Sequence, residues 1–236
     1  MKQKALNSSE IRFYELLKGD SRFDFVLFPE KIENNIGYFP WFEGGDLIGK
    51  EKKYYLMAVE AIAKFHHFVK EIKCDFIKFD KKYYANSLDL NLNLPEKQMN
   101  ELKRSLEIIE SNYQLIHDDF LPQNVVTDGR VVKIIDWENM RGGFAEHDIG
   151  RFLGDLHCTN PNWQKKYYPL GWQDELEECY LTVRKKLDTK YDIVFGKKMI
   201  RIGRMFNYLG PIEMCSKSGD VNSPWFLANL EAFENA

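Results

Sequence analysis

The sequence predicts an α+β fold in which a small β-containing N-terminal part precedes a mainly helical body. Three observations point to it. Two runs rich in aromatic and β-branched residues, "FDFVLFP" at 23–29 and "IGYFPWF" at 36–42, lie close together near the start. Apolar residues then recur at helical spacing over 51–71 and 96–111. Finally, two short apolar runs at 124–127 and 131–135 flank the turn pair Asp128-Gly129.

In chain order, Asn7 followed by Glu10 has capping-box spacing, and Ile11, Tyr14 and Leu17 share one face, which predicts a short helix over 8–17. The runs at 23–29 and 36–42 read as strands, with Asn34-Asn35 as the hairpin turn between them. "EGGDLIG" breaks the pattern with three glycines, so Glu43 to Asp46 is the natural hinge between an N-terminal part, 1–45, and a helical part, 46–236. Tyr55, Val59, Ile62, Phe65, His66 and Val69 define the buried face of a long helix, and Met99, Leu102, Leu106 and Ile109 define that of a second. Strands 124–127 and 131–135 follow, then helices at about 146–157, 173–187, 195–216 and 224–234.

Composition excludes several classes. With 44% hydrophobic and 29% charged residues the chain has globular composition, and a net charge of −3 gives nucleic acid no electrostatic foothold. The four cysteines, at 74, 158, 179 and 215, have no ligand-like spacing and read as reduced thiols. The N-terminal residues form no secretory signal, and no apolar run is long enough to span a membrane, so the expectation is a soluble cytoplasmic protein.

Chemistry concentrates in "LIHDDFLPQNVV", residues 115–126. Asp, Asn and Pro there are ordinary turn residues. Asp119 is followed five residues later by Asn124, however, and Asp136 ends the strand that pairs back toward it. A hairpin sets Asn124 beside Asp136 with Asp119 on the adjoining loop. Such an oxygen-rich cluster suits a hard cation such as Mg²⁺, which takes one or two carboxylates and leaves a second Asp free as a base.

"HDDFLPQN" followed by "IIDWE" resembles the catalytic loop and metal-binding segment of the aminoglycoside phosphotransferase/choline kinase family, small-molecule kinases with a protein-kinase-like fold. "AVEAIAKFHHF" resembles the family's helix ending in Leu-His, "EHDIGRFLGDL" its Asp-Leu-Ala helix, and "FPWFEGGDL" its adenine-cradling linker. The resemblance covers roughly residues 2–160. It implies a protein-kinase-like α+β fold with a truncated N-lobe and a helical C-lobe, and an enzyme that uses ATP or another nucleoside triphosphate with Mg²⁺ to phosphorylate a hydroxyl of a small molecule. Asp119 would be the base, and Asn124 and Asp136 would hold Mg²⁺. Trp41, Phe42 and Glu43 would meet the nucleotide, while His117, Asp148 and His66 would support the site. Asp118 stands where the family more often has Gly. It and Glu138 are candidates for contact with substrate or a second metal.

"KQKALNSSEIRFYELL" resembles the family's stretch from phosphate-contacting lysine to helix glutamate, which implies that Lys2, ahead of Lys4, pairs with Glu10. On this reading the family's glycine-rich loop has no counterpart, and a non-catalytic binding or regulatory module is the competing class.

Other features have plainer readings. His66-His67 cannot share a ligand role, because adjacent helical residues point apart. His157-Cys158 reads as structural. The acids of "WQDELEECY" (172–180) suit either a cationic acceptor, such as an amino sugar or choline, or a solvated helix face. Lys197, Lys198, Arg201 and Arg204 form a basic stripe typical of a solvated face. Tyr167, Tyr168, Trp172, Phe206 and Tyr208 suit an acceptor wall or, more simply, the core.

Overall fold

The computed structural model describes residues 1–72, 78–88, 94–158 and 171–236. The side chains of Cys74, His157, Cys158, Tyr167 and Tyr168, and the readings attached to them, lie outside the described residues.

The N-terminal sheet is antiparallel with strand order β1-β3-β2, where β1 is Lys2–Ala5, β2 is Lys31–Glu33 and β3 is Ile36–Phe39. Asn34 and Asn35 both take positive φ, 50° and 60°, the conformation a two-residue hairpin turn demands. Helix α1 (Ser8–Leu17) follows β1 and is capped as its sequence requires. The Asn7 side chain accepts from the Glu10 amide at 2.9 Å, and Glu10 accepts from the Asn7 amide at 3.1 Å.

One expectation fails in this part. Residues 23–29 form no hairpin strand: Ser21–Phe23 is a 3₁₀ turn capped by Asp20, and Val26 makes a single parallel bridge to Ile134. Phe23 and Phe25 are buried, so the aromatic run serves as core filling, and Pro29 has no amide with which to continue a ladder. The hairpin partner of β3 is the short, charged β2, which carries no strand-like pattern. Strand β1 is equally unmarked by pattern, and only the family resemblance, with its lysine-carrying strand, implies it.

The linker 40–44 leads to β4 (Gly45–Asp46), which joins β6 (Val125–Thr127) and β7 (Val132–Ile134) in a second antiparallel sheet. A Cβ on Gly44 would stand 2.2 Å from the Thr127 carbonyl oxygen, so only glycine fits there. The β6–β7 turn has Gly129 at φ 91°, and Asp128 accepts from the amides of Arg130 and Val131 at 2.8 and 3.0 Å. A third sheet pairs β5 (Gln114–Ile116) with β8 (Arg141–Gly143).

Helices α2 (Lys52–Phe68) and α4 (Glu96–Ser111) match their predicted spans, and between them lies a short unpredicted helix α3 (Lys81–Asn86). All six apolar-face residues expected of α2, from Tyr55 to Val69, are buried. The C-terminal helices are α5 (Glu146–Cys158), α6 (Gln173–Leu187), α7 (Ile193–Ser218) and α8 (Pro224–Asn235). No helix among the described residues is long and apolar enough to cross a membrane.

Two contacts position the site. Trp137, just after β7, is fully buried, stacks on Phe13 of α1 at 4.5 Å between ring centroids, and lies 4.8 Å from Phe65 of α2. This ties the N-terminal helix to the loop that carries Asp136. Helices α5 and α7 meet at Gly150 and Gly203, and a Cβ on Gly150 would stand 2.7 Å from backbone atoms of Gly203 and Arg204. Gly150→Ala is therefore expected to destabilise the fold by about 1–3 kcal/mol through overpacking. Urea unfolding with an unchanged midpoint would show that the crossing yields freely.

Candidate functional site

The site is built where the loop after β5, the end of β7 and strand β1 converge. On the N-terminal side, Lys4 Nζ lies 2.9 Å from Glu10 Oε1, 3.3 Å from Glu138 Oε2, and in direct contact with Asp136 Oδ1. Lys2, the expected partner of Glu10, is exposed instead. Both lysines lie on one face of β1, but the capping box seats Glu10 over the C-terminal end of the strand, and Lys2 is about 7 Å farther back. Burial opposes the charge on Lys4, yet the hydrogen bonds to Asp136 and Glu10 outweigh it and hold the ammonium pKa above its usual value.

Asp119 is partly exposed, with 23% of its side chain open to solvent, and is held at both carboxylate oxygens. Asn124 Nδ2 donates to Oδ2 at 2.9 Å and also to the Asp119 carbonyl at 2.8 Å. Arg151 Nη2 donates to Oδ1 at 2.8 Å. His117 lies beneath: its Nδ1 accepts from the Asp119 amide at 3.2 Å, and its Nε2 donates to the Ile135 carbonyl at 2.9 Å. The Ile135 amide donates in turn to the Asn124 carbonyl at 2.9 Å, so Asn124 and Asp136 sit together at the open end of the β6–β7 ladder. Asp136 adopts φ 64°, a left-handed conformation that a non-glycine residue holds only when its surroundings enforce it.

The loop hangs on Asp148, a fully buried carboxylate on α5. Its Oδ2 accepts from the His117 amide at 2.8 Å and from His66 Nε2 at 2.9 Å, and its Oδ1 accepts from the Asp118 amide at 2.8 Å. Burial works against its charge, but the hydrogen bonds from His66 and the His117 amide prevail and hold the carboxyl below its usual range. Burial pushes His66 down, so imidazole rather than imidazolium meets the carboxylate.

Asp118 also takes a left-handed conformation, φ 64°, and turns inward, where Arg141 meets Oδ2 at 2.8 Å and His147 approaches Oδ1 at 3.3 Å. The Arg141 guanidinium lies 3.9 Å from the Tyr83 ring centroid. Trp41 is 73% exposed on the linker, beside half-buried Phe42 and exposed Glu43. Sequence reasoning missed Arg151, although it lies one turn after Asp148 and so on the same helix face. It missed Arg141 as well, which no local pattern marks.

Three acids of α6 carry partners: Glu175 pairs with Lys52 at 2.5 Å, Glu177 with Arg204 at 2.6 Å and Glu178 with Lys197 at 3.7 Å. These ion pairs also occupy much of the basic stripe on α7, and Arg201 pairs with Glu101. The two faces neutralise each other in part, through Glu177–Arg204 and Glu178–Lys197. Phe206 and Tyr208 are core residues.

The donor set fits Mg²⁺. Asn124 spends its N–H groups on Asp119 and so presents its carbonyl oxygen, while Asp136 has one oxygen on Lys4 and a second beyond it. Among the described residues no cluster of three or more His, Cys, Asp or Glu could hold a metal by itself.

A family model described as "phosphotransferase enzyme family" matches residues 31–179. No curated protein matches the chain by sequence. Its fold is similar to that of choline kinase LicA from Streptococcus pneumoniae, with 13% identity, TM-score 0.60, and coverage of 98% of this chain and 79% of that one. It is similar also to choline kinase from Cryptosporidium parvum (14% identity, TM-score 0.57, 98% and 77% covered). A third similar structure is the GDP complex of aminoglycoside 2'-phosphotransferase-IIIa (13% identity, TM-score 0.58, 96% and 79% covered). The fold is thus protein-kinase-like.

The Asp148 hub makes stability pH-dependent. Unfolding frees His66 to bind a proton below about pH 6.5 that the native state refuses, so the native state loses stability as pH falls through that value. Asp148, whose folded pKa is depressed, adds a further loss below about pH 4. Urea unfolding at pH 7.5 and 5.5 is expected to show a smaller acid loss in His66→Gln than in wild type. Equal losses would remove His66 as the cause.

Proposed function

Because this chain belongs to the phosphotransferase enzyme family, we propose that it transfers the terminal phosphoryl group of ATP, or of another nucleoside triphosphate, to a hydroxyl of a small molecule with Mg²⁺ as cofactor. The observation that supports the proposal is a chain of contacts: Asn124 holds Asp119, the Ile135 amide ties the residue before Asp136 to the Asn124 carbonyl, and the Lys4–Glu10 pair meets Asp136. Transfer of this kind requires positioning and charge neutralisation more than covalent chemistry.

Asp119 receives the acceptor's hydroxyl proton. Each of its oxygens keeps a lone pair beyond the one given to Asn124 or Arg151, so it can accept that proton without releasing its anchors. Asn124 and Asp136 would hold Mg²⁺, which when bound would supply charge neutralisation for the nucleotide's phosphates. Lys4, kept protonated by its carboxylate neighbours, contacts the phosphates, and Glu10 fixes its ammonium. Trp41, Phe42 and Glu43 line the approach of the base.

Amino alcohols such as choline and ethanolamine, and aminoglycosides, are the first acceptors to test, after the activities named for proteins of this fold. A cationic acceptor would be met by groups other than Asp118 and the paired acids of α6, since those already carry partners.

Nucleotide consumption against a panel of amino alcohols and aminoglycosides is expected to reveal turnover, with Asp119→Asn at least about 100-fold slower. Identical rates in wild type and Asp119→Asn would dismiss the base. Mg²⁺-nucleotide is expected to raise the melting temperature, and Asp136→Ala to abolish the rise. A rise that survives Asp136→Ala would take this residue out of the metal site.

A further inference from the structure

Behind the Asp148 hub lies a buried polar chain that the proposed chemistry does not use. His66 presents Nε2 to Asp148 and Nδ1 to the Tyr180 hydroxyl, 2.9 Å away on α6. That hydroxyl also receives Arg184 Nη1 at 2.9 Å. All four side chains are sealed from solvent, and the Arg184 guanidinium lies 4.8 Å from the Tyr191 ring centroid with the Glu146 carboxylate supporting its charge. Burying a guanidinium costs desolvation that an apolar side chain in the same place would avoid.

We propose that Arg184 and Tyr180 are positioning residues of the catalytic loop, which fix the sense of this hydrogen-bond chain so that His66 meets Asp148 as a neutral donor. Arginine has only protons to give and does not lose them. It therefore occupies the phenol oxygen as a donor, and the phenol's own proton has His66 Nδ1 as its acceptor. Were His66 an imidazolium, its Nδ1–H would compete for that same place, and the phenol proton would be turned toward a cation. A buried donor left without a partner is expensive.

The charged groups around the ring act in the same direction or are already committed. Arg184 on α6 opposes a second proton on His66, whereas Asp148 and Glu146 on α5 favour it. Glu146 accepts the Tyr191 hydroxyl at 2.9 Å, and on β5 Gln114 reaches only the His66 carbonyl. A neutral His66 matters because an imidazolium would draw the Asp148 carboxylate toward itself and away from the amides of His117 and Asp118, the two bonds that hold the loop. The proposal deepens the phosphotransferase reading, which gives the loop its task, but proton positions can be observed without turnover.

Nitrogen-15 NMR of histidine-labelled protein tests it. Wild-type His66 is expected to carry its proton on Nε2, with Nδ1 an acceptor, across pH 7.5 to 5.5. In Arg184→Met it takes up a second proton at distinctly higher pH, and exchange of the His117 and Asp118 amides quickens at least about tenfold. Adding Tyr180→Phe cancels that rise, because the imidazolium then has no acceptor at Nδ1. Should Arg184→Met not fold, Tyr180→Phe alone moves the Nδ1 resonance to the position of a free acceptor. A wild-type imidazolium, an equal rise with and without the Tyr180 hydroxyl, unaltered amide exchange, or an Nδ1 resonance indifferent to Tyr180→Phe would each overturn the proposal.

Discussion

A single buried carboxylate holds the catalytic loop in place. Asp148 accepts two consecutive backbone amides, those of His117 and Asp118, and takes its third hydrogen bond from a histidine on a different helix. Immediately after the second of these amides the chain bends, because Asp118 enters the left-handed region. The bend turns Asp118 inward to Arg141 and leaves Asp119 outward at the opening. Inner and outer aspartates are thus two products of one constraint. The inner one is spent on structure.

The same economy governs the N-terminal side. Glu10 caps its own helix and grips Lys4, while Trp137 couples that helix to the residue after Asp136 through ring stacking on Phe13. Lys4 therefore reaches Asp136 with both partners fixed by packing. The geometry is that of a lysine–glutamate pair standing beside an aspartate, the arrangement on which the proposed phosphoryl transfer rests.

Much of this was legible in the sequence because it is local. Capping box, hairpin turns and helix spans follow from spacing, and α4 and α6 match their predicted limits. Asp119, Asn124 and Asp136 could be grouped because a hairpin is a short-range object. What stayed hidden depends on residues far apart in the chain. Arg141 reaches Asp118 from β8, Tyr180 reaches His66 from α6, and Lys4 rather than Lys2 meets Glu10 because of where a helix seats its third residue. The run at 23–29 misled for a related reason: its composition suits a strand, but tertiary packing made it a wall of the core.

Arg151 and Asp148 share a helix with Gly150, whose backbone rests directly against that of Gly203. No side chain stands between the two helices at that point, so the spacing from the base to α7 is measured out in main-chain atoms, like a ruler without a soft joint. Substitutions on the exposed surface of α7 leave that length untouched, because no exposed side chain takes part in it.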